Sequence, residues 1–128
     1  MQRPRGGGDT LAPDGSQIRL LGESDAGSLS HCTLLPGECT SAVRHRTVHE
    51  IWYVLNGHGE IWRRDPEGHE EVTLLAAGTA IDLPLGTAFQ FRSTGLGPLA
   101  VVILTMPRWP GPQEAIMGDG PWSATAST

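Results

Sequence analysis

The sequence predicts an all-β domain, a sandwich or barrel of short antiparallel strands. Three observations carry that expectation. Gly and Pro, 17 and 10 of the 128 residues, punctuate the whole chain. Between them lie short apolar runs: "QIRLL", "SHCTLL", "EIWYVL", "GEIWRR", "EVTLLA", "TAIDL", "AFQFRS" and "PLAVVILTM". No window sustains a 3.6-residue apolar period, and a helix of more than about two turns would meet a Pro or Gly that breaks it, so helix should be minor.

Taken in chain order, residues 1–16, "MQRPRGGGDTLAPDGS", are Gly-rich and read as a flexible N-terminal tail. The strands then occupy residues 17–107. Asn56-Gly57 is the strongest local signal, because a two-residue type I′ turn needs positive φ at both central positions and Asn-Gly supplies it cheaply; it predicts a hairpin joining strands near 50–55 and 58–63. A second turn, "DPEG" at 65–68, leads into "EEVTLLA". After Pro107 the chain holds too many Pro and Gly to join a sheet for long. Residues 108–128 therefore read as a short C-terminal extension packed on the domain through Trp109 and Trp122.

Composition narrows the function. A chain of this length fits one domain that folds unaided. All nine basic residues are Arg, and fourteen acids give a net charge of -5, which disfavours nucleic acid as a partner. Cys32 and Cys39 lack metal-type or redox-type spacing and read as reduced core thiols. Neither a secretory leader nor an apolar run of roughly 20 residues is present, so a soluble, cytoplasmic protein without a membrane partner is the expectation. Outward-facing Ile51 and Tyr53, the "VVIL" strand at 101–104 and the Trp-containing extension offer enough apolar surface to predict a homodimer.

The segment "VRHRTVHEIWYVLNGHGEIW", residues 43–62, concentrates the chemistry. Gly37, His45, Glu50 and Gly57 fall at the intervals G-x7-H-x4-E-x6-G, and Gly78, Pro84 and Gly86 follow as G-x5-P-x-G. These two stretches resemble the two motifs of the cupin family, over roughly residues 17 to 106. The resemblance implies a jelly-roll β-barrel, commonly dimeric, with a metal held by two histidines and a glutamate of the first motif and one histidine of the second. This sequence departs from that ligand set. Val43 stands at the place of the first histidine and Phe89 at that of the last, leaving His45 and Glu50. Two ligands seldom hold a divalent ion, and a Phe ring dries the place it would occupy.

Strand alternation sorts the rest. If Glu50 points inward, so do Trp52 and Val54, while His49, Ile51 and Tyr53 face out. In the second motif Thr87, Phe89, Phe91 and Ser93 point inward, and Gln90 and Arg92 outward. The expected pocket joins aromatic walls, Trp52, Phe89 and Phe91, to polar groups, His45, Glu50, Thr87 and Ser93, and suits a small organic ligand. The neighbouring carboxylate is expected to raise the basicity of His45.

Three function classes are compatible with these residues. The first is an acid/base enzyme of isomerase, epimerase, dehydratase or cyclase type, with His45 and Glu50 catalytic and no tightly bound cofactor. Its substrate would be a small organic, sugar-like or secondary-metabolite molecule. The second is a metal-dependent oxygenase or isomerase in which His45 and Glu50 are partial ligands to iron, manganese, nickel or zinc, helped by His31, Cys32 or His49. The third is a ligand-binding or sensing domain without catalysis. A superfold of this kind hosts all three.

Overall fold

The computed structural model describes residues 10–12 and 14–125. Eleven strands run β1 Thr10–Leu11, β2 Gln17–Ser24, β3 Gly27–Leu34, β4 Ala42–His45, β5 His49–Asn56, β6 His58–Arg64, β7 Glu70–Ala76, β8 Ala80–Leu83, β9 Ala88–Ser93, β10 Leu99–Met106 and β11 Ala115–Gly118. They form two antiparallel sheets, in the orders β1-β2-β3-β10-β5-β8 and β11-β4-β9-β6-β7. Helix among the described residues is limited to one 3₁₀ turn, Pro112–Glu114. No helix among them is long and apolar enough to cross a membrane.

Each apolar run named from the sequence contributes a strand. The inner faces of the two sheets meet in one core, where Trp52 of β5 packs edge-on against Phe91 of β9 at 4.8 Å between ring centroids. Leu34, Val54, Ile61, Leu99 and Val101 fill it around them, and Cys32 is buried among them. Glu50, Trp52 and Val54 are buried while His49, Ile51 and Tyr53 are exposed, as alternation requires.

The Asn56-Gly57 hairpin is not formed. β5 pairs with β10 and β8, whereas β6 pairs with β7 and β9 in the other sheet. Gly57 has φ +87° and no non-Gly residue among those described has positive φ, so Asn56 remains extended and the pair turns a corner between sheets. A Cβ on Gly57 would lie 2.4 Å from the carbonyl oxygen of Pro98, so the glycine lets two backbones meet. "DPEG" does join a hairpin, between β6 and β7.

Both chain ends carry more structure than their composition suggests. Thr10–Leu11 pairs with β2, and Asp14 and Ser16 are buried, which corrects the flexible-tail reading for residues 10–12 and 14–16; residues 1–9 lie outside the described residues. The extension after Pro107 adds β11 to the edge of the second sheet against β4. Its last part straps the outer face of that sheet. Gln90 points outward, yet the strap buries it: its Nε2 donates to the Trp122 carbonyl at 2.8 Å and its Oε1 accepts from the Trp122 N–H at 3.1 Å. Arg92 lies 4.0 Å over the Trp122 ring.

Candidate functional site

Cross-strand register turns one end of the inner face polar. Along β3 the inward residues read Leu34, Cys32, Ser30, Ser28; along β10, Leu99, Val101, Ile103, Thr105; along β5, Val54, Trp52, Glu50. Pairing places Ser28, Thr105 and Glu50 in one polar row across three adjacent strands, and on β3 the row before it, beside Ile103 and Trp52, is already polar at Ser30. Above that row opens a cavity of about 340 Å³, within the size range of small-molecule sites.

Glu50 sits in its wall and is 5% exposed. Its Oε1 accepts from the Trp52 indole N–H at 3.0 Å and its Oε2 from the Thr105 hydroxyl at 3.0 Å. Burial is the larger influence and pushes the carboxyl up to about 7, against the two hydrogen bonds, which lower it. His45, the last residue of β4, stands with Nδ1 3.8 Å from Glu50 Oε1, beyond hydrogen-bond length. The Phe89 and Trp109 rings each lie edge-on to its imidazole at 5.3 Å between centroids. Burial lowers His45 to about 4, with Glu114 opposing. The expected gain in basicity from the neighbouring carboxylate is therefore reversed: desolvation outweighs attraction, and the imidazole is neutral near pH 7.

The loop between these two residues is pinned from the far end of the chain. The buried Glu114 carboxylate accepts from the Thr47 hydroxyl at 2.7 Å, the Val48 N–H at 3.0 Å and the Thr47 N–H, and the Glu114 carbonyl accepts from the Arg46 N–H at 3.0 Å. Burial pushes the Glu114 carboxyl up, but these donors and His45 hold it below its ordinary range. Asp14 adds a second buried acid to the cavity wall, its Oδ1 accepting from the Ser16 N–H at 3.0 Å and hydroxyl at 2.7 Å. Burial raises it.

Of the residues selected from sequence, His45, Glu50, Trp52 and Phe89 share the cavity. Phe91, Thr87 and Ser93 are buried elsewhere: Phe91 in the core beneath Trp52, Thr87 in the turn before β9 with its N–H on the Pro84 carbonyl, and Ser93 at the opposite end of β9 against Gly59. Alternation gives the face of a strand, not the depth along it. Asp14, Trp109, Thr105 and Glu114 were not found from sequence. The inward series along β3, β5 and β10 could have located Thr105, whereas the other three lie outside the motif strands.

The described residues of the cavity wall do not assemble the usual ligand set for a divalent metal. Among the described residues no three His, Cys, Asp or Glu side chains gather as ligands. Val43 and Phe89 present hydrocarbon to the cavity, and both Glu50 oxygens already accept hydrogen bonds. The proposed substitutes stand apart from the cavity lining: His49 is exposed with Nδ1 accepting from the Leu85 N–H at 3.4 Å, Cys32 is in the core, and His31 is next to it on the same strand.

The family model "Cupin domain" matches residues 30–105, more than half of the chain. The chain belongs to the cupin superfamily. No curated protein matches this cupin by sequence. Among solved structures it is similar to the capsular polysaccharide assembling protein CapF from Staphylococcus aureus, with TM-score 0.72 and 17% identity over 84% of this chain and 33% of that one. It is also similar to a variant of oxalate decarboxylase from Bacillus subtilis, with TM-score 0.70 and 15% identity over 84% and 30%. An uncharacterised conserved protein with a double-stranded β-helix domain from Klebsiella pneumoniae matches with TM-score 0.67 and 18% identity, over 93% of this chain and 91% of that one. The chain spans about a third of the length of CapF and of the decarboxylase, and at these identities the likeness concerns the fold.

Proposed function

We propose that this cupin, its two sheets forming a jelly-roll barrel, binds a small organic molecule in the cavity and moves a proton on it. Isomerisation, epimerisation, dehydration or ring closure would all use such a step, and the reading invokes no tightly held metal. One observation carries it: a buried carboxyl poised near neutrality, Glu50, faces the cavity 3.8 Å from a neutral imidazole, His45. A base works best when its pKa lies near the working pH. Glu50 in its ionised form takes a proton from the substrate and returns it at a neighbouring position. The neutral His45 ring, with one N–H and one lone pair, steadies the oxygen or nitrogen on which charge develops. Trp52, Phe89 and Trp109 exclude water from the reacting face.

The test is turnover of a substrate recovered by screening small metabolites for thermal stabilisation. Glu50→Gln should lower kcat by about 10²- to 10⁴-fold with substrate affinity nearly unchanged, and His45→Asn should behave alike. His49→Ala should leave kcat as it is. The wild-type rate should rise with pH through an inflection near 7 assigned to Glu50. Metal at about one equivalent, removed by chelator together with activity, would refute the reading.

A homodimer belongs to the same proposal. On the outer face of the larger sheet Leu29, Leu104 and Ile51 lie side by side in register, with Val102 and Tyr53 in the next row. Leu29, Leu104, Ile51 and Tyr53 are 39%, 36%, 46% and 49% exposed, a continuous apolar strip of the kind that copies cover. Light scattering at micromolar concentration should return twice the chain mass; the single-chain mass would remove this part.

A further inference from the structure

The cavity is lopsided in charge. Among the described residues its wall contains the buried carboxyls of Asp14 and Glu50 and no Arg or Lys. Asp14 is buried with its Oδ1 occupied by Ser16, while its Oδ2 has no hydrogen-bond partner among the described residues. No ring nitrogen of His45, which is 9% exposed, has a partner at hydrogen-bond distance among them either. These unfilled positions all border the same space. They are acceptors, apart from whichever ring nitrogen of His45 carries its proton. The same wall contains Trp52, Phe89 and Trp109, whose π systems favour a cation and repel an anion.

We infer that the ligand of this cavity is a small molecule with a flat apolar body and a protonated amine or amidine, and that the site rejects carboxylates and phosphates of the same size. This inference rests on the reading that the cavity is a small-molecule site, not on proton transfer within it. An ammonium group supplies three donors to a wall short of donors, and its charge replaces the water that Asp14 and Glu50 lose on burial. An anion would meet two buried acids and, among the described lining residues, no Arg.

Binding is then linked to protonation. Glu50 is faced by His45 from β4, Asp14 from the segment before β2, Glu23 from β2 and Glu114 from the 3₁₀ turn, and is hydrogen-bonded by Trp52 and Thr105. Of these, Asp14 and Glu50 are held toward their protonated forms by burial, so a cation that needs them ionised must displace protons. Its affinity rises with pH through the neutral range, where the amine itself stays charged.

Three isosteric probes test this on the full chain: benzylamine, benzyl alcohol and benzoate, with affinities measured by calorimetry or ligand-observed NMR between pH 5 and 8. Benzylamine should bind at least about ten-fold tighter than the alcohol at pH 8 and lose about ten-fold in affinity per pH unit below 7, while the alcohol changes little and benzoate does not bind. Asp14→Asn should narrow the gap between amine and alcohol. The wild-type pH series decides the matter even if that variant does not fold. Benzoate binding as tightly as benzylamine, an amine affinity flat in pH, or no binding by any of the three would overturn the inference. Amine selectivity with unchanged turnover in Glu50→Gln would sustain it while removing the catalytic proposal.

Discussion

Glu50→Gln should be more stable than the parent at pH 8, by about 3 kcal/mol, and equally stable at pH 4. The folded carboxyl titrates near 7 and the unfolded one near 4.5. A raised folded pKa gives stability that is full below the unfolded value and lost as pH rises through the folded one. At 1.36 kcal/mol per unit, the shift of about 2.5 units amounts to about 3 kcal/mol that the wild type lacks above pH 7. Glutamine stands in for the protonated form: its oxygen accepts from Trp52 and its amide donates to the Thr105 hydroxyl. The variant proposed to lose turnover is therefore expected to gain stability.

His45 has the opposite sign. Its folded pKa is lowered to about 4 from 6.5, so its contribution is present above pH 6.5 and lost as pH falls through 4. The two slopes overlap between about 4.5 and 6.5 and nearly cancel there in the wild type. Each single substitution exposes the other: Glu50→Gln should become less stable on acidification through this window, and His45→Asn less stable on alkalinisation. Urea denaturation at several pH values reads both slopes. Parallel, flat profiles in the two variants would show that neither group is desolvated as described.

Gly57→Ala should cost about 3 kcal/mol or more, while Asn56→Ala should cost little. The alanine at 57 would keep a left-handed backbone, at roughly 1–2 kcal/mol, and would drive its Cβ into the Pro98 carbonyl and the Leu99 backbone, adding an overpacking cost of about 1–3 kcal/mol. Asn56 is the last, exposed residue of β5 in extended conformation, so its side chain is not needed there. A type I′ hairpin would give a different result, with both positions sensitive. Thermal melts of the two variants separate the alternatives.

That contrast shows what was legible in the sequence. Glycine at 57 marks positive φ reliably, but Asn-Gly alone does not reveal whether the strands on either side pair with each other or with partners 40 residues away. The main strands were legible because turn residues bracket each apolar run. β4 was not, since Ala42–His45 is four residues long with Arg44 in it, and β11 was hidden among Pro and Gly. For the candidate site, motif spacing pointed to His45 and Glu50 and alternation to Trp52 and Phe89, and these four line one cavity. The same alternation also directed Thr87, Phe91 and Ser93 to the pocket, whereas they are buried outside the cavity lining, because depth depends on cross-strand register. The sign of the His45 shift was equally hidden. A nearby carboxylate is visible in sequence, whereas the desolvation that overrides it comes from burial, with Phe89 and Trp109 packed on the ring.

The pinning of the His45–Glu50 loop by Glu114 sets an order of events during synthesis. The hydrogen bonds involved join residues 66 and 67 positions apart, and the Cys39–Thr125 contact spans 86. A ribosome makes all ten earlier strands before it reaches Glu114, so a nascent chain can collapse its core while its reactive loop is still slack. Closing such distant contacts is the slow part of folding for a β-topology of this kind. The Glu114 anchor of the loop between the buried acid and the imidazole can form only after those earlier strands have been made, and a chain released before residue 114 would have those strands without it.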